Sequence, residues 1–146
     1  MAAITKIQAY IYTADIDTAG TDSPVYLGIA GREFLLATNS DDFQQGSKFS
    51  FILGEDANVL KPDYNDPRKP ALDTDDLDRY PVYIRLEPEG NGPAWCVERI
   101  TVTVNPDSKV PHVFDNPRLV GTSGRGDRIW LWKEGGKQLF LKRYDG

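Results

Sequence analysis

The chain has 146 residues, a formal net charge of −5, a single cysteine (Cys96) and a single histidine (His112). That length is one domain with a core of real size, and the acidic balance argues against nucleic acid, whose affinity rests on Lys and Arg neutralising phosphates. It also argues against constitutive attachment to an anionic membrane, unless a bound divalent cation reverses the charge locally.

One cysteine permits no internal disulfide. The first residues, Met1-Ala2-Ala3-Ile4-Thr5-Lys6, lack the apolar stretch of a secretory signal. No apolar run reaches membrane-spanning length. The expectation is a cytoplasmic or peripheral membrane protein. Thirteen glycines and ten prolines punctuate short β-type runs, and no stretch keeps a 3.6-residue period.

Residues 4–13 read as the first strand. Ile7, Ala9 and Ile11 share one face and Tyr10 and Tyr12 the other. An acidic loop, 14–24, follows. Residues 25–29 form the second strand, with Val25, Leu27 and Ile29 inward. A turn over 30–33 leads to a third strand over 34–38, a hairpin partner. Residues 39–42 (Asn39, Ser40, Asp41, Asp42) make a second acidic loop. Residues 47–53 are the fourth strand, with Phe49 and Phe51 on one side and Lys48, Ser50 and Ile52 on the other.

Residues 54–80 are the least regular part, carrying Pro62, Pro67, Pro70 and eight acidic side chains. Long loops in compact domains are either surface excursions or functional. Within this one, Asp73-Thr74-Asp75-Asp76 caps a short helical turn through Leu77. Residues 81–86 form the fifth strand, 87–93 a third acidic, glycine-containing loop, and 95–104 the sixth strand. In that strand two registers remain open. One puts Cys96, Ile100, Val102 and Val104 inward together with Glu98; the other starts inward with Trp95, Val97 and Arg99.

Residues 117–120 form a short strand and 121–126 a turn. Residues 127–133 and 138–143 are two strands joined by Glu134-Gly135-Gly136-Lys137, a hairpin signal because glycine tolerates positive φ. Ile129, Trp130, Leu131 and Trp132 make the first of these apolar on both faces. Either it is covered twice, or one face carries two exposed indoles suited to a lipid interface, a sugar or a protein partner. Arg125, Arg128, Lys133, Lys137, Lys142 and Arg143 make this end basic. They protect a sheet edge or meet an anionic headgroup.

Many short strands with turn punctuation give an all-β, antiparallel β-sandwich with a long acidic, Pro-containing loop insertion. Its acidic loops supply Thr21, Asp22, Asn39, Asp41, Asp42, Glu87, Glu89 and Asn91. Those oxygens suffice for calcium, which takes six to eight oxygen ligands. The same residue types also form ordinary solvated turns. No Gly-x-Ser-x-Gly element, phosphate-binding glycine loop or Cys/His zinc spacing is present. Cys96 and His112 are the one conceivable nucleophilic pair. The expectation is a chain that is not an enzyme.

Three motifs in order carry a resemblance. They are Gly20-Thr21-Asp22 with Val25-Tyr26-Leu27, then Phe43-Gln44-Gln45-Gly46-Ser47 with Phe51, then the strand 82–86 followed by Gly92-Pro93-Ala94-Trp95 and a Val-rich run. Together they resemble the PLAT/LH2 domain family over residues 4–104. The resemblance implies two packed sheets of roughly four strands each. It also implies a module, without catalysis of its own, for membrane lipid or protein association, in many members with calcium at the Gly-Thr-Asp loop. The chain departs from the family at residues 86–92, where a His-Asp-Asn element is replaced by Leu86-Glu87-Pro88-Glu89-Gly90-Asn91-Gly92. The competing readings are a protein-interaction domain independent of calcium and a carbohydrate-binding sandwich using Trp130 and Trp132.

Overall fold

The computed structural model describes residues 2–89, 94–116 and 129–144. Ten strands and one short helix follow in order: β1 (Lys6–Thr13), β2 (Val25–Ile29), β3 (Arg32–Leu35), β4 (Lys48–Gly54), α1 (Asp76–Arg79), β5 (Tyr83–Leu86), β6 (Trp95–Val104), β7 (His112–Asp115), β8 (Ile129–Leu131), β9 (Gln138–Phe140) and β10 (Lys142–Arg143). They build two antiparallel sheets. One has six strands in the order β10-β7-β6-β1-β4, with β8 also paired to β6; the other has four, β3-β2-β5-β9. The sandwich is therefore uneven, where two sheets of about four strands are expected. The excess arises because β6 is ten residues long and its outer edge takes two short strands end to end: β7 along Thr101–Val104 and β8 along Trp95–Val97.

The inward faces alternate as the apolar pattern dictates. Along β1, Ile7, Ala9, Ile11 and Thr13 are buried and their neighbours are not. The register question in β6 has a physical answer. Pairing with β1 runs regularly from Ile7↔Val104 to Tyr12↔Arg99, then jumps to Thr13↔Val97. A β-bulge at Glu98 flips the parity of the strand. Ile100, Val102 and Val104 point inward on one side of it, and Trp95 and Val97 point inward on the other. Both sequence registers are correct, each for half of the strand, and Glu98 is left half-exposed.

Two further differences come from turns. The β2–β3 hairpin turns on Ala30 and Gly31 alone, both at positive φ, so β3 starts at Arg32 rather than at 34. Two positive φ values in a two-residue loop match the right-handed twist of the strands it joins. The Gly135-Gly136 turn also forms, with Trp132 N–H donating to Gly136 C=O at 3.0 Å. The strands on either side of it do not pair with each other, however: β8 joins β6 and β9 joins β5. The chain then crosses at buried Leu141 from β9 in one sheet to β10 in the other. The strand and turn expected at 117–126, with Arg125 and Arg128, lie outside the described residues.

The irregular stretch 55–75 closes the opposite side of the sandwich. Its Asn58 side chain accepts from Ile52 N–H at 2.8 Å and donates to Ser50 C=O at 2.9 Å, on the open edge of β4. A few residues on, Leu60 N–H donates to Ala37 C=O at 2.8 Å, and the Asn65 carboxamide accepts from Leu35 N–H at 2.8 Å, on the open edge of β3. One segment thus satisfies backbone groups on both exposed edges, which otherwise template strand addition. The short helix expected through Leu77 forms as α1, but its N-cap, Asp75, makes no side-chain cap hydrogen bond; Asp73 instead accepts from Asp75 N–H at 2.8 Å in the turn before the helix.

Trp95 is fully buried, and its indole N–H donates to Thr13 Oγ1 at 2.9 Å, itself fully buried. Thr13→Val keeps the volume and removes the acceptor. Leaving a buried donor unpaired costs about 1–3 kcal/mol. The expected outcome is a stability lowered by that amount, read as a lower urea midpoint at an unchanged m-value.

Candidate functional site

The strand directions put four connections at one end of the sandwich. Thr13, Val25, Leu35, Lys48, Leu86, Trp95, Leu131 and Gln138 are the strand termini there, as the pairs Tyr12↔Lys48, Tyr26↔Leu35, Val25↔Leu86, Trp95↔Leu131 and Arg85↔Gln138 require. Loops 14–24, 36–47 and 132–137, and residues 87–89, therefore share that end. Backbone hydrogen bonds tie them together. Thr21 N–H donates to Phe43 C=O at 3.0 Å, Cys96 N–H to Ala19 C=O at 3.0 Å, Glu87 N–H to Pro24 C=O at 2.9 Å and Leu86 N–H to Lys137 C=O at 2.8 Å. Gly20 is required by this closeness. A Cβ there would stand 2.9 Å from Gln45 N and 3.0 Å from Phe43 O, both backbone atoms.

The expected ligand residues fare differently from one another. Asp22, Asp41 and Asp42 line one cleft of about 320 Å3 between the first two loops. Asp22 is exposed, with Oδ1 accepting from Gln44 Nε2 at 2.9 Å. Both carboxylate oxygens of Asp42 are taken by Thr38, from N–H at 2.7 Å and from the hydroxyl at 2.7 Å. Thr21 is buried and its hydroxyl accepts from Ser23 N–H at 3.1 Å, so it shapes the turn rather than facing solvent. Asn39 and Asp41 stand exposed at the tip of the second loop. Glu87 pairs with Arg85 at 3.0 Å. Exposed Glu89 is joined to the first loop through its N–H, which donates to Ser23 Oγ at 3.2 Å. Asn91 lies outside the described residues. Among the described residues no three His, Cys, Asp or Glu side chains gather as a metal-holding group.

The indoles of Trp130 and Trp132 resolve the two readings of their strand. They are 38% and 40% exposed on one face, while Leu131 between them is buried. Trp130 sits across from Cys96, whose side chain is packed under Ala14, Ala19 and Ile16 of the first loop. The indole pair therefore flanks the acidic loops at the same end of the fold. Cys96 and His112 stand at opposite ends of β6, His112 pairing with Val104, so they form no catalytic pair.

A network that the sequence does not single out covers the outer face of the smaller sheet. Glu33 accepts from Arg85 at 2.8 and 2.9 Å and from the Tyr83 hydroxyl at 2.7 Å. Arg85 also stacks over Tyr26, 4.6 Å from its centroid. Tyr83 lies flat on Gly28, where any Cβ would meet its ring at 2.2 Å. The signal available was the outward period-2 spacing of Tyr83 and Arg85, but which cross-strand residues they meet depends on register.

No family model matches the chain, and no curated protein matches it. Solved structures do. The alpha toxin of Clostridium absonum superposes over 97% of the chain with a TM-score of 0.61 at 21% identity. A coral 8R-lipoxygenase, described as calcium-activated via a C2-like domain, superposes over 94% with a TM-score of 0.55 at 17% identity. The alpha-toxin of a Clostridium perfringens avian strain superposes over 98% with a TM-score of 0.54 at 20% identity. The fold is PLAT/C2-like. The chain spans 32% and 31% of the two toxin chains and 17% of the lipoxygenase chain. In this PLAT/C2-like domain the acidic loops and the indole pair share one end.

The Arg85 guanidinium, hydrogen-bonded to Glu33, holds that carboxyl below its usual pKa, with the Tyr83 hydroxyl adding to the effect. Its folded pKa lies below its unfolded one, so the network stabilises the fold fully above the ordinary glutamate range of about 4.3. That contribution is lost as pH falls through the folded pKa. Glu33→Gln is expected to flatten the stability profile between neutral pH and the acid limb, read as urea midpoints across pH.

Proposed function

We propose that this PLAT/C2-like domain is a non-catalytic module that docks on a membrane surface with its loop end. The observation that carries the reading is the exposed Trp130/Trp132 pair beside the loops 14–24 and 36–43. Indoles favour the membrane–water boundary because an apolar ring and a polar N–H suit that layer. Lys133 and Lys137 follow the pair in the next turn and add attraction to anionic headgroups. The net charge of −5 opposes such contact in the chain as a whole, so docking has to be local and oriented. The solved structures support the fold of the module, and the partner is read from this chain's own surface.

In the docked state Trp130 and Trp132 enter the interface and the two lysines meet headgroups. Removing both indoles is expected to weaken vesicle binding by about tenfold or more, since burial of each large apolar side chain contributes roughly 1.5–3 kcal/mol. Co-sedimentation of the Trp130→Ser/Trp132→Ser variant with phosphatidylcholine/phosphatidylserine vesicles measures this. Equal pelleting of variant and parent would turn the search to protein partners.

Calcium enters the proposal as an added ligand. Asp22 and Asp41 line the same cleft and would hold it, with carbonyl and water oxygens completing the six to eight ligands that the ion takes. It would offset carboxylate charge facing the headgroups. A calorimetric titration of chelator-treated protein is expected to show saturable binding that Asp22→Ala abolishes, and a calcium-dependent rise in melting temperature. Absence of both heat and stabilisation would leave a calcium-independent docking module.

A further inference from the structure

A second opening lies beside the loop end, between residues 38–43 and the first half of β4, with a volume of about 420 Å3. Its inner wall is apolar: Ile11, Phe43, Phe49 and Phe51. The rings form a continuous run from the core outward. Trp95 and Phe43 are 5.2 Å apart, Phe43 and Phe51 are stacked at 5.3 Å, and Phe51 and Phe49 meet edge-on at 4.9 Å. Phe43 and Phe51 are buried, while Phe49 stands at the mouth, 41% exposed. Packing thus fixes the floor before any ligand arrives.

The rim has the opposite character. Asp41 and Asp42 line it. Asp42 is held by Thr38 and keeps its charge in place. Asp41 is exposed and makes no hydrogen bond or ion pair among the described residues. Lys48 also borders the opening, but its ammonium stands 4.7 Å over the Tyr12 ring, on the outer face of the sheet. An aromatic floor under a negatively charged rim selects by charge. A ring face and a carboxylate both attract a cation, an anion is repelled, and a neutral apolar group gains nothing from Asp41. A small hard metal ion gains oxygen ligands from the rim but nothing from the phenyl floor.

We infer that this crevice binds an organic ammonium group, a quaternary or alkylated amine, with Phe49 against its apolar substituents and Asp41 against its charge. The site goes beyond the membrane-docking surface and does not use the indole pair, but it shares Asp41 with the proposed calcium cleft, so it is tested on chelator-treated protein. The ammonium group can belong to a lipid headgroup or to a free amine.

Amide NMR titration of the full chain with choline, and with 3,3-dimethylbutan-1-ol as its uncharged isostere, tests the site. Choline is expected to shift residues 38–43 and 47–51 saturably, and to bind about fivefold or more tightly than the alcohol, in keeping with one cation–π contact and one carboxylate. Asp41→Asn is expected to bring choline down to the level of the alcohol at unchanged melting temperature, because its side chain is exposed, and Phe49→Leu to weaken choline while the amide spectrum outside the crevice stays that of the folded parent. The Trp130→Ser/Trp132→Ser variant is expected to keep the choline shifts, which separates this site from membrane docking. Phosphatidylcholine vesicles that displace choline assign the group to a lipid headgroup; choline that stays bound assigns it to a free amine. Equal binding of choline and the alcohol, insensitivity to Asp41→Asn, or shifts away from the crevice would overturn the inference.

Discussion

The β-bulge that sets Thr13 against Val97 is the constraint on which the rest of the arrangement depends. Without it, β6 would carry one parity along its ten residues, and either Trp95 or the Ile100–Val104 half would face solvent. With it, Trp95 turns inward to the Thr13 hydroxyl and to Phe43, and Cys96 turns outward. Cys96 then offers both its backbone groups to the first loop: its C=O accepts from Ala14 N–H at 3.0 Å and its N–H donates to Ala19 C=O at 3.0 Å. The same kink leaves a short length of β6 edge for β8, which brings the tryptophan pair to the loop end. One extra residue in one strand therefore places core, loop and indoles together.

The second requirement is closure. Open sheets leave strand edges, and two of them, β3 and β4, are covered locally. On one side, 55–75 satisfies the backbone of β3 and β4 with Asn58, Leu60 and Asn65. On the other, the chain passes directly between sheets through Leu141, so β9 and β10 are edges of different sheets joined by one buried residue. The acidic insertion is thus part of the architecture. Its carboxylates do local work too: the Asp66 carboxylate is 4% exposed and pairs with Arg68 at 2.9 Å, which holds its pKa below the usual aspartate range.

Most of the fold was legible because period-2 alternation reports local geometry. Ile7, Ala9 and Ile11 in β1, and Val25, Leu27 and Ile29 in β2, are buried as their spacing requires. What was not legible was pairing between distant segments. The Gly135-Gly136 turn is read correctly as a turn, yet a turn says nothing about which sheet each arm will join. β6 was ambiguous because a bulge erases its own signature: the alternation restarts out of phase. At the site, Asp22 and Asp41 were found by residue type and lie on one cleft. Thr21 and Asp42 were named for the same reason, but their oxygens serve neighbouring N–H and O–H groups. A sequence shows that a side chain has oxygens, not whether the loop has already used them. Phe49 and Phe51 share one side of their strand, yet spacing does not tell how deep each lies: Phe51 is buried, while Phe49 stands at the mouth of the crevice.

The described loops are tied together, and that bears on how the end works. Two backbone hydrogen bonds join loop to loop, Thr21 to Phe43 and Glu87 to Pro24, two more join loops to strand ends, and Gly20 sits where a Cβ would meet backbone. Binding to such a surface loses little conformational entropy, so a small contact area can suffice. The functional groups are also segregated. The indoles lie on one face of β8 and the residue after it, the exposed carboxylates Asp22 and Asp41 in the loops 14–24 and 36–43, and the phenyl run in the crevice beside them. In the proposed docking, the indoles would sit at the membrane–water boundary and the charged groups among the headgroups that lie outermost.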